Sequence, residues 1–174
     1  MILNKTRGIE MVDKIIIRFE DYITIICFSL MSIITLLAVI YRYLFSSPLI
    51  WSEELARYFM VWGVFIGISI VTRKNAQLAL DLLDSFAPEK IRGFMRGFFR
   101  IFLIISFFTL FLLSVQFLYY MFNIGHVTPV LRIDFWIIYS VIPLGFLLST
   151  YHSVKIFIKH RTKEIAGSNI ESEV

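Results

Sequence analysis

From Ile101 to Phe122 the chain carries no charged residue, and three other stretches come close to that. They run from Tyr22 to Leu44, from about Leu49 to Thr72, and from about Phe135 to Phe157. At about 1.5 Å of rise per helical residue, each is long enough to cross roughly 30 Å of hydrocarbon. The runs are continuous rather than alternating apolar and polar, which marks helices and not barrel strands. Hydrocarbon offers backbone groups no partner, so every peptide bond in such a run must be hydrogen-bonded within the protein. The expected fold class is an all-α integral membrane protein with four transmembrane helices and added amphipathic interfacial helices. Pro143 lies inside the fourth run and predicts a kink there, because its nitrogen has no hydrogen to donate.

Composition narrows the chemistry. Of 174 residues, 58% are hydrophobic and 17% charged, against about 45–50% and about 25% in soluble domains. The one cysteine, Cys27, sits in an apolar run, which excludes an intrachain disulfide, a CxxC redox pair and a cysteine metal cluster. It reads as a small buried hydrophobe. Residues 1–21 mix charges, and the run after them is long and lacks a small-residue cleavage site, so it is expected to be a retained first helix and not a signal peptide.

Basic residues set the expected orientation. Fourteen of the seventeen lie before the first run, between the second and third, or at the end of the fourth and beyond it. The first short loop has only Arg42 and Arg57 at its helix ends, and the last has Arg132. Both termini and the middle segment are therefore expected in the cytoplasm. The net charge of +4 follows from this arrangement and does not point to nucleic acid, since the basic residues flank spans and form no aromatic-laced patch.

Two further segments read as interfacial helices. Met11, Val12, Ile15, Ile16, Phe19 and Tyr22 recur at helical spacing, with Asp13, Lys14, Arg18 and Asp21 elsewhere on the wheel. Between Leu78 and Gly97, charged and apolar residues alternate around a break expected near Ala87-Pro88, with Pro88-Glu89 opening a helix that leads into the third span. The expected organisation is an amphipathic segment over 1–21, a first transmembrane hairpin over 22–72, an interfacial arm over 73–100, a second hairpin over 101–158 and a polar tail over 159–174.

The charges that need explaining are Arg42, Glu53, Glu54 and Arg57. They fall in the facing ends of the first two runs, where an unpaired charge is costly and usually has a partner. Glu53 and Glu54 are four and three residues before Arg57, which suits pairing on one helix face, and Arg42 can reach the remaining carboxylate across the hairpin. The expectation is a closed network of two acids and two arginines. The alternatives are proton or cation carriage by a glutamate, which neighbouring arginines oppose, and direct contact with a partner subunit. Trp51 and Tyr58 fit an aromatic belt. Gly63 and Gly67 form a small-xxx-small pair, a signal for close helix packing. Gln116 is expected to make an interhelical hydrogen bond. His126, His152 and His160 show no metal-site spacing, and no nucleophile elbow, phosphate loop or zinc motif is present. No catalytic residue, cofactor site or metal site is expected.

The stretch Trp51-Ser52-Glu53-Glu54-Leu55-Ala56-Arg57-Tyr58, then Val61-Trp62, Phe65-Ile66-Gly67, Arg73 and Asp81, resembles the signature of the small membrane subunit of tripartite ATP-independent periplasmic (TRAP) transporters, the DctQ-like Q subunit. Size and four-run topology extend the likeness over the whole chain. Where the family often has a histidine four residues before the matching aspartate, this chain has Gln77. The resemblance implies partners and no reaction: a larger membrane (M) subunit holding the substrate and sodium sites, a periplasmic binding protein, and surrounding lipids. It further implies uptake of an organic acid such as a C4-dicarboxylate or a sialic acid, with the small subunit as a fixed scaffold in the bacterial inner membrane. The residue reading leaves open a self-sufficient, homo-oligomeric transporter or channel, although the first span carries Arg42 and no acid of the kind small exporters use.

Overall fold

The computed structural model describes the backbone of residues 2–86 and 89–171, and the side chains of residue 11, residues 13–74 and residues 97–158. Five helices follow in order: α1 Ile2–Leu44, α2 Ile50–Phe86, α3 Glu89–Ile124, α4 Phe135–Tyr139 and α5 Val141–Glu171. Four stretches are long and apolar enough to cross a membrane: Asp13–Leu44, Ile50–Lys74, Gly97–Ile124, and Phe135–Ile158 across α4 and α5. The central pair is α2 and α5, with α1 packed on α2 and α3 packed on α5. Both short connections, 45–49 and 125–134, lie at one end of the bundle, called here the hairpin end.

The interior is unusual for a soluble protein and ordinary for a membrane one. Among the described residues, the buried polar set includes Asp13, Glu20, Ser52, Glu54, Ser69 and His152, while the buried apolar set is only Cys27, Ile34, Ile66, Ile138 and Val141. Lipid tails are as apolar as leucine, so apolar side chains gain little by turning inward. Small residues and hydrogen bonds hold the helices together instead.

Two expectations are corrected here. The amphipathic N-terminal segment is not a separate interfacial helix, since α1 runs unbroken from Ile2 to Leu44 and its apolar stretch starts at Asp13. No glycine or proline lies between Gly8 and Pro48, so nothing in the sequence ends the helix near Tyr22. The expected effect of Pro143 shows as a one-residue gap in the fourth run: Ser140, still helical at φ −58° and ψ −23°, separates α4 from α5. Pro143 is the cause, because it leaves the Tyr139 carbonyl without the donor four residues on. The close helix packing assigned to Gly67 is absent, as a Cβ there would meet nothing within 4 Å. Gly63 does face a neighbour, the Phe28 ring at 3.1 Å from such a Cβ. The tightest approach is instead at Gly145, where a Cβ would collide with the Phe65 carbonyl. Ala87 and Pro88, the side chains of Gln77, Asp81 and His160, and most other side chains of the expected arm and tail lie outside the described residues.

Candidate functional site

At the hairpin end, Arg42 closes α1 against α2. Its guanidinium donates to Glu53 at 2.5 Å, and both side chains are more than half exposed. Glu54 is buried and turns the other way. One of its oxygens accepts from the Tyr58 hydroxyl one turn on. The other accepts from the backbone N–H groups of Val130 and Leu131 at 3.0 and 3.1 Å.

Those amides belong to the 125–134 connection, which folds back on itself through a bridge between Val127 and Asp134. Thr128 is its pivot: it is buried, its N–H donates to the Ile133 carbonyl at 2.9 Å, and its hydroxyl accepts from the Ile133 N–H at 2.9 Å. Gly125 and Arg132 have φ of 65° and 52°, the left-handed turns that reverse the chain. The tip of such a turn leaves adjacent N–H groups pointing inward, and a carboxylate is the strongest acceptor for them.

The closed network of two acids and two arginines is therefore corrected. Only Arg42 and Glu53 pair. Arg57 is exposed and makes no hydrogen bond or ion pair among the described residues, although its spacing from Glu54 permits one. The loop amides and Tyr58 saturate Glu54 first. Tyr58 is accordingly not a belt residue, since its hydroxyl points at Glu54; Trp51 is 41% exposed. Arg57, Glu54, Tyr58, Pro129, Val130 and Tyr139 help line a cleft of about 260 Å³. Trp62, further along α2, donates its indole N–H to the Ile138 carbonyl at 3.0 Å, beside the break between α4 and α5.

A second polar cluster ties α1, α2 and α5 together at the opposite end, and most of it escaped the sequence reading. Glu20 is fully buried. Its Oε1 accepts from Ser69 on α2 at 2.7 Å and lies 2.9 Å from His152 Nε2 on α5. Glu20 Oε2 and Thr24 Oγ1 are buried without partners. Beside Glu20, Asp13 accepts from Tyr151 at 2.5 Å and pairs with Lys155, and Arg73 donates to Asp21 at 2.8 Å. Asp13 and Asp21 were expected on the solvated side of a surface helix, whereas both bind neighbouring helices. His152, for which the sequence offered no metal-site spacing, is 3% exposed. The available signal was depth: Glu20 and His152 lie at matching distances inside one end of their helices.

Gln116 makes no hydrogen bond among the described residues and is exposed. That corrects its expected bond within the bundle, because it sits on the side of α3 facing away from α5. Cys27 is buried and free. Among the described residues no three His, Cys, Asp or Glu side chains converge on a point that would hold a metal ion.

The family model described as tripartite ATP-independent periplasmic transporters, DctQ component, matches residues 31–163. A sialic acid TRAP transporter permease protein of Haemophilus influenzae is 35% identical over 95 residues, covering 55% of this chain and 15% of that one. A C4-dicarboxylate TRAP transporter small permease protein of Vibrio cholerae is 27% identical, covering 42% of this chain and 32% of that one. An ectoine TRAP transporter small permease protein of Halomonas elongata is 25% identical, covering 87% of this chain and 78% of that one. The chain thus spans well under half the length of the first two of these relatives.

Proposed function

The chain belongs to the DctQ component family of tripartite ATP-independent periplasmic transporters, and from that premise we propose that it scaffolds a larger membrane subunit while transport chemistry proceeds in that partner. It is a small permease component and a multi-pass protein of the bacterial inner membrane, not an enzyme. The proposed cycle is sodium-coupled uptake of an organic acid, with a periplasmic binding protein delivering the substrate. Relatives named for sialic acid, C4-dicarboxylate and ectoine support an organic acid or zwitterion without selecting one.

One observation carries the scaffold reading. The buried acids of the spans are engaged by the protein itself: Glu54 by a loop, one oxygen of Glu20 by Ser69 and His152, Asp13 by Tyr151 and Lys155. Meanwhile only 6% to 33% of the most apolar part of each span is buried. A braced set of helices with most of its apolar surface uncovered suits a partner of larger surface better than a pathway of its own. Arg57, exposed beside the cleft, is free to meet a carboxylate of that partner. The distribution of Lys and Arg supports termini and the 73–100 segment on the cytoplasmic side, with the hairpin end outward.

The test is co-expression with the large permease chain of the same genome, purification on a tag carried by the small chain, and sodium-driven uptake in liposomes. The expected result is a stable pair, with uptake only when both chains are present. Uptake by the small chain alone would sink the proposal and favour the self-sufficient transporter.

A further inference from the structure

The side of α3 that faces away from α5 carries hydrogen-bonding residues in a heptad line: Thr109, Gln116 and Asn123, seven residues apart. All three are exposed, and none makes a hydrogen bond among the described residues. Thr109 is telling. Thr35, Thr72 and Thr150 each return their hydroxyl to the carbonyl four residues back at 2.8 Å, as isolated threonines in apolar helices do. Thr109 makes no such bond.

Alternating with these positions along the same line are Ile105, Leu112 and Tyr119, at 59%, 48% and 68% exposure. The six residues 105, 109, 112, 116, 119 and 123 alternate spacings of four and three, the pattern of a seam between packed helices. The face of α3 that α5 uses is the opposite one, which includes the buried Ser114. Lipid tails cannot satisfy an amide a few turns inside the hydrocarbon, and Gln116 lies eight residues from the end of α3. A partner helix can.

Resting on the scaffold reading, we propose that this heptad line of α3 is the docking seam for a membrane-spanning helix of the large permease subunit. That helix carries a hydrogen-bonding side chain or a small-residue backbone approach opposite Gln116. The large subunit is chosen over a second copy because this chain corresponds to only 15% of a relative named as a whole permease. A component that can share one polypeptide with the rest of its permease has that remainder, one to one, as its neighbour.

The test uses the co-expressed pair with Cys27→Ser, so that introduced cysteines are the only thiols of the small chain. Cysteine is placed at Thr109, at Gln116, or at Val115, the last about a quarter turn off the seam. Each is combined with single cysteines along the exposed spans of the large subunit, and oxidative crosslinks are read on gels. The expected result is strong crosslinking from positions 109 and 116 to one common helix of the large subunit, with little from position 115. Gln116→Leu is expected to reduce recovery of the large subunit by about three-fold. Crosslinks from the seam to a second copy of this chain, crosslinks equally strong from Val115→Cys, or no crosslinks in a pair that still co-purifies would each overturn the seam and leave the scaffold reading standing. Failure of the unmodified chains to co-purify would overturn both.

Discussion

His152 Nε2 lies 2.9 Å from Glu20 Oε1, joining α5 to α1 across 132 positions of sequence with both side chains buried. Ser69 of α2 donates to the same oxygen, so three helices meet on one carboxylate atom. In a bundle with so few buried apolar residues, such a junction fixes which helices are neighbours. It also sits at the end opposite the hairpin loops, where no short connection holds α1 to α5.

Removing one member of this junction leaves the others buried without a partner. Glu20→Ala and His152→Ala are each expected to destabilise the chain by about 3–5 kcal/mol. The double variant Glu20→Leu with His152→Leu removes both polar groups together and is expected to be more stable than either single variant. Reversible unfolding in mixed detergent micelles measures all three. If the double variant lost the sum of the two single losses, the side chains would be acting independently and the junction would be a coincidence of packing.

The first turns of the second span make a contrasting pair of predictions. Glu54→Gln weakens an acceptor that serves two loop amides and a tyrosine hydroxyl. Hydrogen exchange at the Val130 and Leu131 amides is expected to quicken on the order of ten-fold. Arg57→Gln removes no hydrogen bond or ion pair among the described residues and should leave those amides and the melting temperature unchanged, while weakening recovery of the large subunit. Arg42→Gln breaks an exposed pair and is expected to cost under about 1 kcal/mol. Slower exchange in Glu54→Gln, or a large loss of stability in Arg57→Gln, would restore the four-charge network.

What the sequence made legible was local. Four spans follow from run length, because hydrocarbon imposes a minimum length on any helix that crosses it. Arg42 and Glu53 are eleven positions apart across a short loop, so their pairing is readable from the hairpin alone. Glu54 belongs to the same motif but binds a loop 76 positions away, and its spacing to Arg57 gave a plausible and incorrect partner. Glu20 lies in a segment whose polar residues resemble the wet side of a surface helix. Only the neighbouring helices reveal that Asp13, Glu20 and Asp21 point at protein. Gly145 was silent for a related reason: a glycine that admits a backbone from another helix looks the same in sequence as one that admits nothing, such as Gly67.

That difference between the two glycines is measurable. Gly145→Ala places a methyl group against the Phe65 carbonyl and its flanking atoms, where backbone must yield. A cost of about 1–3 kcal/mol is expected, with α5 displaced from α2. Gly67→Ala meets nothing and removes a flexible residue from a helix interior, so it is expected to be neutral or stabilising by up to about 1 kcal/mol. Thermal unfolding of the two variants side by side checks the order. Equal losses at both sites would mean that α2 uses Gly67 for a contact outside this chain.

The break at Ser140 yields a coupled prediction. Pro143 stops the ladder between α4 and α5, and the Trp62 indole donates to the Ile138 carbonyl at the place where it stops. Trp62→Phe keeps most of the ring volume and deletes the donor, so it is expected to cost about 1 kcal/mol. Pro143→Ala restores an N–H within reach of Tyr139 and favours a continuous helix, which draws the nearby carbonyls back into the ladder. In that background Trp62→Phe is expected to cost measurably less. A double-mutant cycle by detergent unfolding gives the coupling, and Trp62 fluorescence in the Pro143→Ala variant reports whether the indole has lost its acceptor. An unchanged cost and an unchanged emission would mean that Trp62 reads the shape of α4 and not the interruption that Pro143 imposes on the fourth span.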